Sequence, residues 1–222
     1  IPIFIPPLNE QKQIVSFLND KTSHIDSLID KTKKKIELLK EKRTSIIVEV
    51  VTKGLNPNVE MKNSGVEWIG EIPGSWEVLR MCYMFKPISI KNTTGEMNLS
   101  VYRDYGVIPT HSRSDNHNVI SEDISNYKLV EKGDFVMNKM KCWMGSLGLS
   151  DYRGIVSPSY TVMKPLKKNN HKYIHYLLRS KIYIPQYKRL SYGVREGQWD
   201  LRFEDFKELP CLIPTLEEQN KI

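Results

Sequence analysis

The densest chemical signal in this 222-residue sequence is a run of cations without an acid. Between Lys164 and Arg195 stand nine basic residues, Lys164, Lys167, Lys168, Lys172, Arg179, Lys181, Lys188, Arg189 and Arg195, and no Asp or Glu. Five tyrosines, at 173, 176, 183, 187 and 192, are interleaved with them. Ammonium and guanidinium groups neutralise phosphates, and aromatic hydroxyls and faces add contacts to sugar or base. A solvated helix face with inward-packed tyrosines would have the same composition, so the run alone does not separate the two. The chain as a whole is basic, 33 Lys+Arg against 26 Asp+Glu for a formal charge of +7. Such a balance favours a polyanionic partner without requiring one.

Patterns that carry catalysis are missing from the sequence. No Gly-x-x-x-x-Gly-Lys-Ser/Thr loop is present to cradle a nucleoside triphosphate. Gly145-Ser-Leu-Gly148 lacks the spacing of a dinucleotide loop. His171 and His175 stand one helical turn apart, but no third ligand accompanies them and they read as surface histidines. Ser157-Pro-Ser-Tyr160 superficially matches the Asn/Asp-Pro-Pro-Tyr/Phe string of amino-methyltransferases. It lacks the amide or carboxylate that accepts from the target amino group, and it reads as a turn between strands. The cysteines, Cys82, Cys142 and Cys211, form no Cys-x-x-Cys pair and suit a reducing compartment. Neither a cofactor nor a metal is expected.

The elements that would position these residues begin with an internal repeat. Ile1–Ile14 (IPIFIPPLNEQKQI) and Leu209–Ile222 (LPCLIPTLEEQNKI) are identical at seven of fourteen positions, including Pro6/Pro214, Leu8/Leu216, Glu10/Glu218 and Gln11/Gln219. The chain is therefore expected to be a piece of a longer, two-fold repetitive protein. After the first copy, Leu8 to Lys53 contains neither Gly nor Pro, with a cap near Asn9 and Gly54 as the stop. Eight of eleven heptad a and d positions are apolar, namely Val15, Leu18, Ile25, Ile29, Ile36, Leu39, Ile46 and Val50, with Thr22, Thr32 and Arg43 the exceptions. This predicts a coiled-coil-forming helix that needs a partner to cover its seam. Thr215 and Glu218 stand at capping-box spacing, which predicts a second helix after Thr215. Residues 55–67 read as a linker. Beyond it, 78–85, 99–103, 134–140 and 154–164 read as strands, while 172–182 and 203–208 read as helices. The fold class is α+β, a mixed and β-rich domain attached to a long helix. No apolar run is long enough to span a bilayer and no charged-then-apolar leader opens the chain, so a cytoplasmic setting without membrane contact is expected.

Five strings, in order, resemble one known family. Trp68-Ile-Gly-Glu-Ile-Pro-Gly-Ser-Trp76, Gly133-Asp-Phe-Val, Gly154-Ile-Val-Ser-Pro-Ser-Tyr160, Ser191-Tyr-Gly-Val-Arg-Glu-Gly-Gln198 and Ile213-Pro-Thr-Leu-Glu-Glu-Gln219 are similar to the specificity subunits of type I restriction–modification enzymes. The resemblance implies two recognition domains held apart by two long, antiparallel helices, each domain reading one half of a bipartite DNA site. On that mapping 1–8 end a first recognition domain and 9–54 form the conserved spacer helix. Residues 55–67 link it to a recognition domain at 68–212, and 213–222 begin the distal helix. The implied partners are double-stranded DNA, modification (methyltransferase) subunits and a restriction subunit. The helix would pair with the distal helix or with a second copy of the chain. Enzymatic work would belong to the partner subunits. Two other readings are a coiled-coil RNA- or tRNA-binding module with a basic head and a self-contained methyltransferase. An RNA-binding arm gives no reason for the repeat.

Reading base edges needs Arg, Lys, Asn, Gln, Ser or His presented from loops. The polar loop that includes His111, Ser112, Arg113 and Asn116 offers these types, with Lys91 and Arg103 on the segments before it. Lys139, Lys141 and Trp143 follow a strand. Tyr192, Arg195 and Gln198 lie in a Gly-bounded loop, and Lys167 and Lys168 in a polar turn suited to phosphate attraction alone.

Overall fold

The computed structural model describes residues 3–91, 95–112, 123–194 and 199–222. The chain divides into two compact units, Ile1–Ser45 and Ile46–Ile222.

The first unit is most of one helix. Helix α1 spans Leu8–Lys53, 46 residues, or about 69 Å at 1.5 Å per residue. It starts one residue before Asn9, with the Gln11 amide N–H bonded to Pro7 O at 3.0 Å and the Gln11 side chain donating to Pro6 O at 2.7 Å. It ends where Gly54 turns left-handed at φ +75° while its N–H reaches back to Val50 O at 3.1 Å, the usual glycine stop. The expected seam residues Val15, Leu18, Ile25, Ile29, Ile36, Leu39 and Ile46 are exposed. Thr22 and Thr32, polar exceptions in the seam, donate their hydroxyls to Leu18 O (2.8 Å) and Leu28 O (2.7 Å) one turn back. Each thereby consumes its donor within the helix.

In the second unit the last two turns of α1 pack by a different stripe from the seam. Val51 is fully buried and Ile47 packs on the same cluster, whereas Ile46 is exposed and Val50 half-buried. The 55–67 stretch is not wholly a linker, because β1 (Met61–Asn63) pairs antiparallel with β2 (Glu71–Pro73). The expected strand 78–85 is broken. β3 (Glu77–Arg80) is followed by a 3-10 turn at Met81–Tyr83 and then β4 (Phe85–Ile88). Met81 and Met84 are both buried. Three residues per turn aims both inward, whereas a strand would put them on opposite faces.

β5 (Leu99–Tyr102) and β6 (Gly106–Pro109) form a hairpin. β7 (Lys128–Val130), β8 (Phe135–Asn138) and β9 (Leu147–Leu149) follow. The expected strand 154–164 is two strands, β10 (Gly154–Val156) and β11 (Tyr160–Pro165), separated by the Ser157–Ser159 turn. The expected helix 172–182 stops early. α2 covers His171–Leu178, capped by Asn170 Oδ1, and α3 covers Ile184–Leu190. Pro185 sits at the start of α3, a position that tolerates a missing N–H but disguises a helix in sequence. α4 (Phe203–Phe206), β12 (Pro210–Ile213) and α5 (Leu216–Lys221) complete the chain. Thr215 caps α5, its hydroxyl accepting from Glu218 N at 3.3 Å.

The central sheet is antiparallel in the order β4-β11-β8-β9, and β12 closes on β3. β8 is buried along its whole length. Phe135 and Met137 enter the larger apolar cluster with Trp76, Tyr173, Tyr183 and Tyr187, while Val136 enters a smaller one with Val101, Val156 and Val162. Both faces of β8 are covered, so its sequence shows no alternation.

Candidate nucleic-acid interface

The end of β8 delivers the chain into a 3-10 segment, Lys139–Met144, which carries Lys139, Lys141 and Trp143. Gly145 stops it at φ +91°. A Cβ at Gly145 would stand 3.2 Å from Ile184 Cδ1 and 3.8 Å from Arg103 Cγ. The missing side chain is what lets α3 and the β5–β6 turn close on this segment.

Onto the same segment folds the bridge between Tyr192 and Asp200. Tyr192 and Asp200 exchange backbone hydrogen bonds of 2.9 and 3.2 Å, and Leu201 N donates to Lys139 O at 3.1 Å. The result is a surface of cations and rings. Trp143 and Trp199 meet edge to face with centroids 5.3 Å apart. Lys188 Nζ stands 5.9 Å from the Trp199 ring centre and the Arg202 guanidinium 4.9 Å from that of Tyr192. A depression of about 420 Å³ opens between Pro185, Lys188, Arg189, Ser191 and Trp199. Asp200 Oδ2 lies 4.0 Å from Lys139 Nζ.

The structure thus brings together Lys139, Lys141, Trp143 and Tyr192, with Arg103 alongside. Arg103 is held from behind. Its carbonyl accepts from Arg179 Nη2, and Arg179 Nη1 donates to His175 Nε2 at 3.0 Å. Burial, and then the Arg179 charge, push the His175 imidazole down to about 4, so near neutrality it is an uncharged acceptor. His175 is half-buried and engaged, not a surface histidine as the spacing suggested, whereas His171 is exposed. Among the described residues no group of three or more His, Cys, Asp or Glu side chains is arranged to hold a metal ion.

The Ser157–Tyr160 string is a turn whose Tyr160 N–H returns to Ser157 O at 3.1 Å. Lys128 Nζ ties it down through Pro158 O (3.1 Å) and Tyr160 O (2.6 Å). Burial, then the neighbouring Lys139 charge, lower the Lys128 ammonium from its ordinary range.

Other expected residues lie apart. Lys91 is exposed, bridges to Lys128 through the backbone and donates to Asn126 Oδ1 at 3.1 Å. His111 and Ser112 form an exposed 3-10 turn after β6, with Ser112 Oγ bonded to Pro109 O at 2.6 Å. Lys167 and Lys168 occupy the exposed turn before α2, next to Asn169, whose Oδ1 accepts from Gln219 Nε2 of α5 at 3.1 Å. Arg113, Asn116, Arg195 and Gln198 lie outside the described residues. Lys188 and Arg189 of the basic run also belong to the cation–ring surface, as do Trp199 and Arg202, which the sequence reading does not single out. The mixture of basic and aromatic types on both sides of the Ser191–Gln198 string was the available signal.

Among the described residues, no helix is long and apolar enough to cross a membrane.

Comparison with known proteins gives a consistent picture. A family model, the type I restriction modification DNA specificity domain, matches residues 73–222. The type I restriction enzyme MjaVIII specificity subunit of Methanocaldococcus jannaschii is 40% identical over 81 residues, 36% of this chain and 17% of that protein. The putative type I restriction enzyme MjaX specificity subunit of the same organism is 38% identical over 81 residues, again 17% of its length. The crystal structure of the HsdS subunit from Thermoanaerobacter tengcongensis superposes with a TM-score of 0.53 at 15% identity, over 98% of this chain and 49% of that one. A chain from a structure on complex assembly and conformational transition of the type I R-M system gives 0.58 at 14% identity, over 98% of this chain and 50% of that one. These structures share the fold. The chain spans about half their length and a smaller part of the curated relatives.

Proposed function

Because the chain belongs to the family of type I restriction modification DNA specificity domains, we propose that its globular unit recognises one half of a bipartite DNA sequence as part of a specificity subunit. The observation that carries this reading is the convergence of Lys139, Lys141, Trp143, Lys188, Tyr192, Trp199 and Arg202 around the 3-10 segment and the Tyr192–Asp200 bridge. Cations there neutralise phosphates and orient the protein, while loop side chains read base edges.

In this proposal residues 1–8 close a preceding recognition domain and 9–54 form the spacer helix. The 55–67 stretch leads into the recognition domain at 68–212, and 213–222 start the distal helix. The subunit is not itself catalytic. It acts in the cytoplasm within a complex whose methyltransferase and endonuclease subunits do the chemistry. Arg113 and Arg195 are the proposed guanine readers, with His111, Ser112, Asn116 and Gln198 as further base contacts. Lys91, Arg103, Lys167 and Lys168 supply phosphate contacts.

Titration of the full chain with duplex DNA at several salt concentrations tests the reading. If about six phosphates are neutralised, log K falls against log salt with a slope near −5. Salt-independent binding, a preference for RNA, or methylation by the purified chain alone would overturn it.

A further inference from the structure

The depression beside Trp199 has a make-up that contact with a closed duplex does not require. At about 420 Å³ it is of the size that holds one small ligand. Part of its lining is an indole. Trp199 meets Trp143 with the ring planes at 62°, so no single stack of flat groups can run across both, and there is room for one such group on Trp199 and not for a series. The rest of the lining is Pro185, Ser191 and two exposed cations, Lys188 and Arg189. The Ser191 hydroxyl is spent on Tyr187 O at 2.7 Å. Arg189 Nε donates to Gln186 Oε1 at 3.0 Å, and among the described residues neither cation is paired with an acid.

In a closed duplex each base face is covered by its neighbours, and only base edges and phosphates are presented to a protein. An indole beside two unmatched cations instead fits a base whose face is free, with its own phosphate alongside. Lys188 Nζ, 5.9 Å from the Trp199 ring centre, stands at the outer limit of a cation–π contact. A base lying on the ring displaces it at little cost, and its charge then meets the phosphate.

We propose that this depression takes one unpaired nucleotide, its base on Trp199 and its phosphate on Lys188 and Arg189. Enzymes that modify a base in DNA take it out of the duplex, which leaves its mate unpaired. The sequence has no catalytic pattern of its own, which makes the nucleotide held here that mate and not the base being modified. The inference rests on the recognition reading and gives the globular unit a second task, holding the duplex open.

The test titrates the full chain with three labelled duplexes of one sequence. One is fully paired, one carries a single extra thymidine, and one carries an abasic unit in place of that thymidine. The thymidine bulge is expected to bind about ten-fold tighter than either of the others by fluorescence anisotropy. Trp199→Leu should bring the three affinities to within about two-fold of one another, whatever its effect on their common level, while Trp199→Phe keeps most of the preference. A fluorescent purine as the unpaired base should be quenched by the wild type and not by Trp199→Leu, which reports stacking itself. Equal binding of the thymidine and abasic bulges would show that only the bend in the duplex is felt, and would overturn the proposal. So would a preference that survives Trp199→Leu. Binding of all three duplexes alike rejects the pocket and leaves the recognition reading standing, whereas binding of none rejects both.

Discussion

At the scale of single residues, the cation–ring surface divides into groups that should behave differently. Lys188 and Arg202 hold their charges over Trp199 and Tyr192, so alanine at either should weaken all DNA sequences alike and reduce the salt slope by about 0.9. A change in sequence preference would show instead that they read bases. Lys139, Lys141, Trp143 and Tyr192 were legible because they sit just past a strand end or in a glycine-bounded loop. Lys188 was legible only as a member of the basic run, and its pairing with Trp199 was not, because only the docking of α3 on the 3-10 segment brings the two together. His175 makes a second prediction. Its imidazole is held at about 4 in the fold against about 6.5 in an unfolded chain. The unfolded state therefore takes up the extra proton, and stability is complete above pH 6.5 and lost as pH falls toward 4, by up to about 3 kcal/mol. Urea midpoints should fall across that window in the wild type and less so in His175→Gln, which can still accept from Arg179. Equal falls would assign the effect to another group.

The repeat gives each element near the chain's two ends a counterpart. Gln11 and Gln219 make the same bond to a proline carbonyl five residues before, at 2.7 and 3.0 Å. Gln219 is in addition buried and bonded to Asn169 Oδ1 and Asn170 N at 3.1 and 2.9 Å. Gln219→Ala should therefore destabilise the globular unit by about 2–3 kcal/mol, because several buried groups lose partners. Gln11→Ala should shift it by less than about 0.5 kcal/mol. Gly54 offers a related test. At φ +75°, a Cβ there would stand 2.8 Å from Glu218 Oε1, the carboxylate whose other oxygen accepts from the Trp76 indole N–H at 2.9 Å. Gly54→Ala should cost about 1–2 kcal/mol by urea unfolding, through backbone strain and displacement of Glu218. α1 was legible from its glycine stop and the absence of breakers, though not from a cap at Asn9, and α5 from its Thr215 cap. The break at Met81–Tyr83 and the early end of α2 were not, since burial of Met81, Met84 and Tyr183 decides them.

For the whole molecule, the α+β class and its long helix could be read from sequence, while the division into compact units at Ser45/Ile46 could not. The helix looks uninterrupted in sequence, and only the packing of Ile47 and Val51 assigns its last turns to the globular unit. A helix without tertiary cover is marginal in water. Trypsin should accordingly cut first among Lys31–Lys42 and leave a resistant fragment beginning near Ile46, visible by mass spectrometry. Early cleavage within 71–213 instead would contradict the division.

The bonded-back hydroxyls of Thr22 and Thr32 bear on how that helix is aligned with whatever covers it. Neither leaves a donor seeking a mate across such an interface. The stripe is then a nearly featureless rail. Sliding a partner by a heptad, about 10 Å, forfeits only the contacts at the ends. Arg43 is the single charged position along it. A partner's alignment is therefore left to contacts outside the rail.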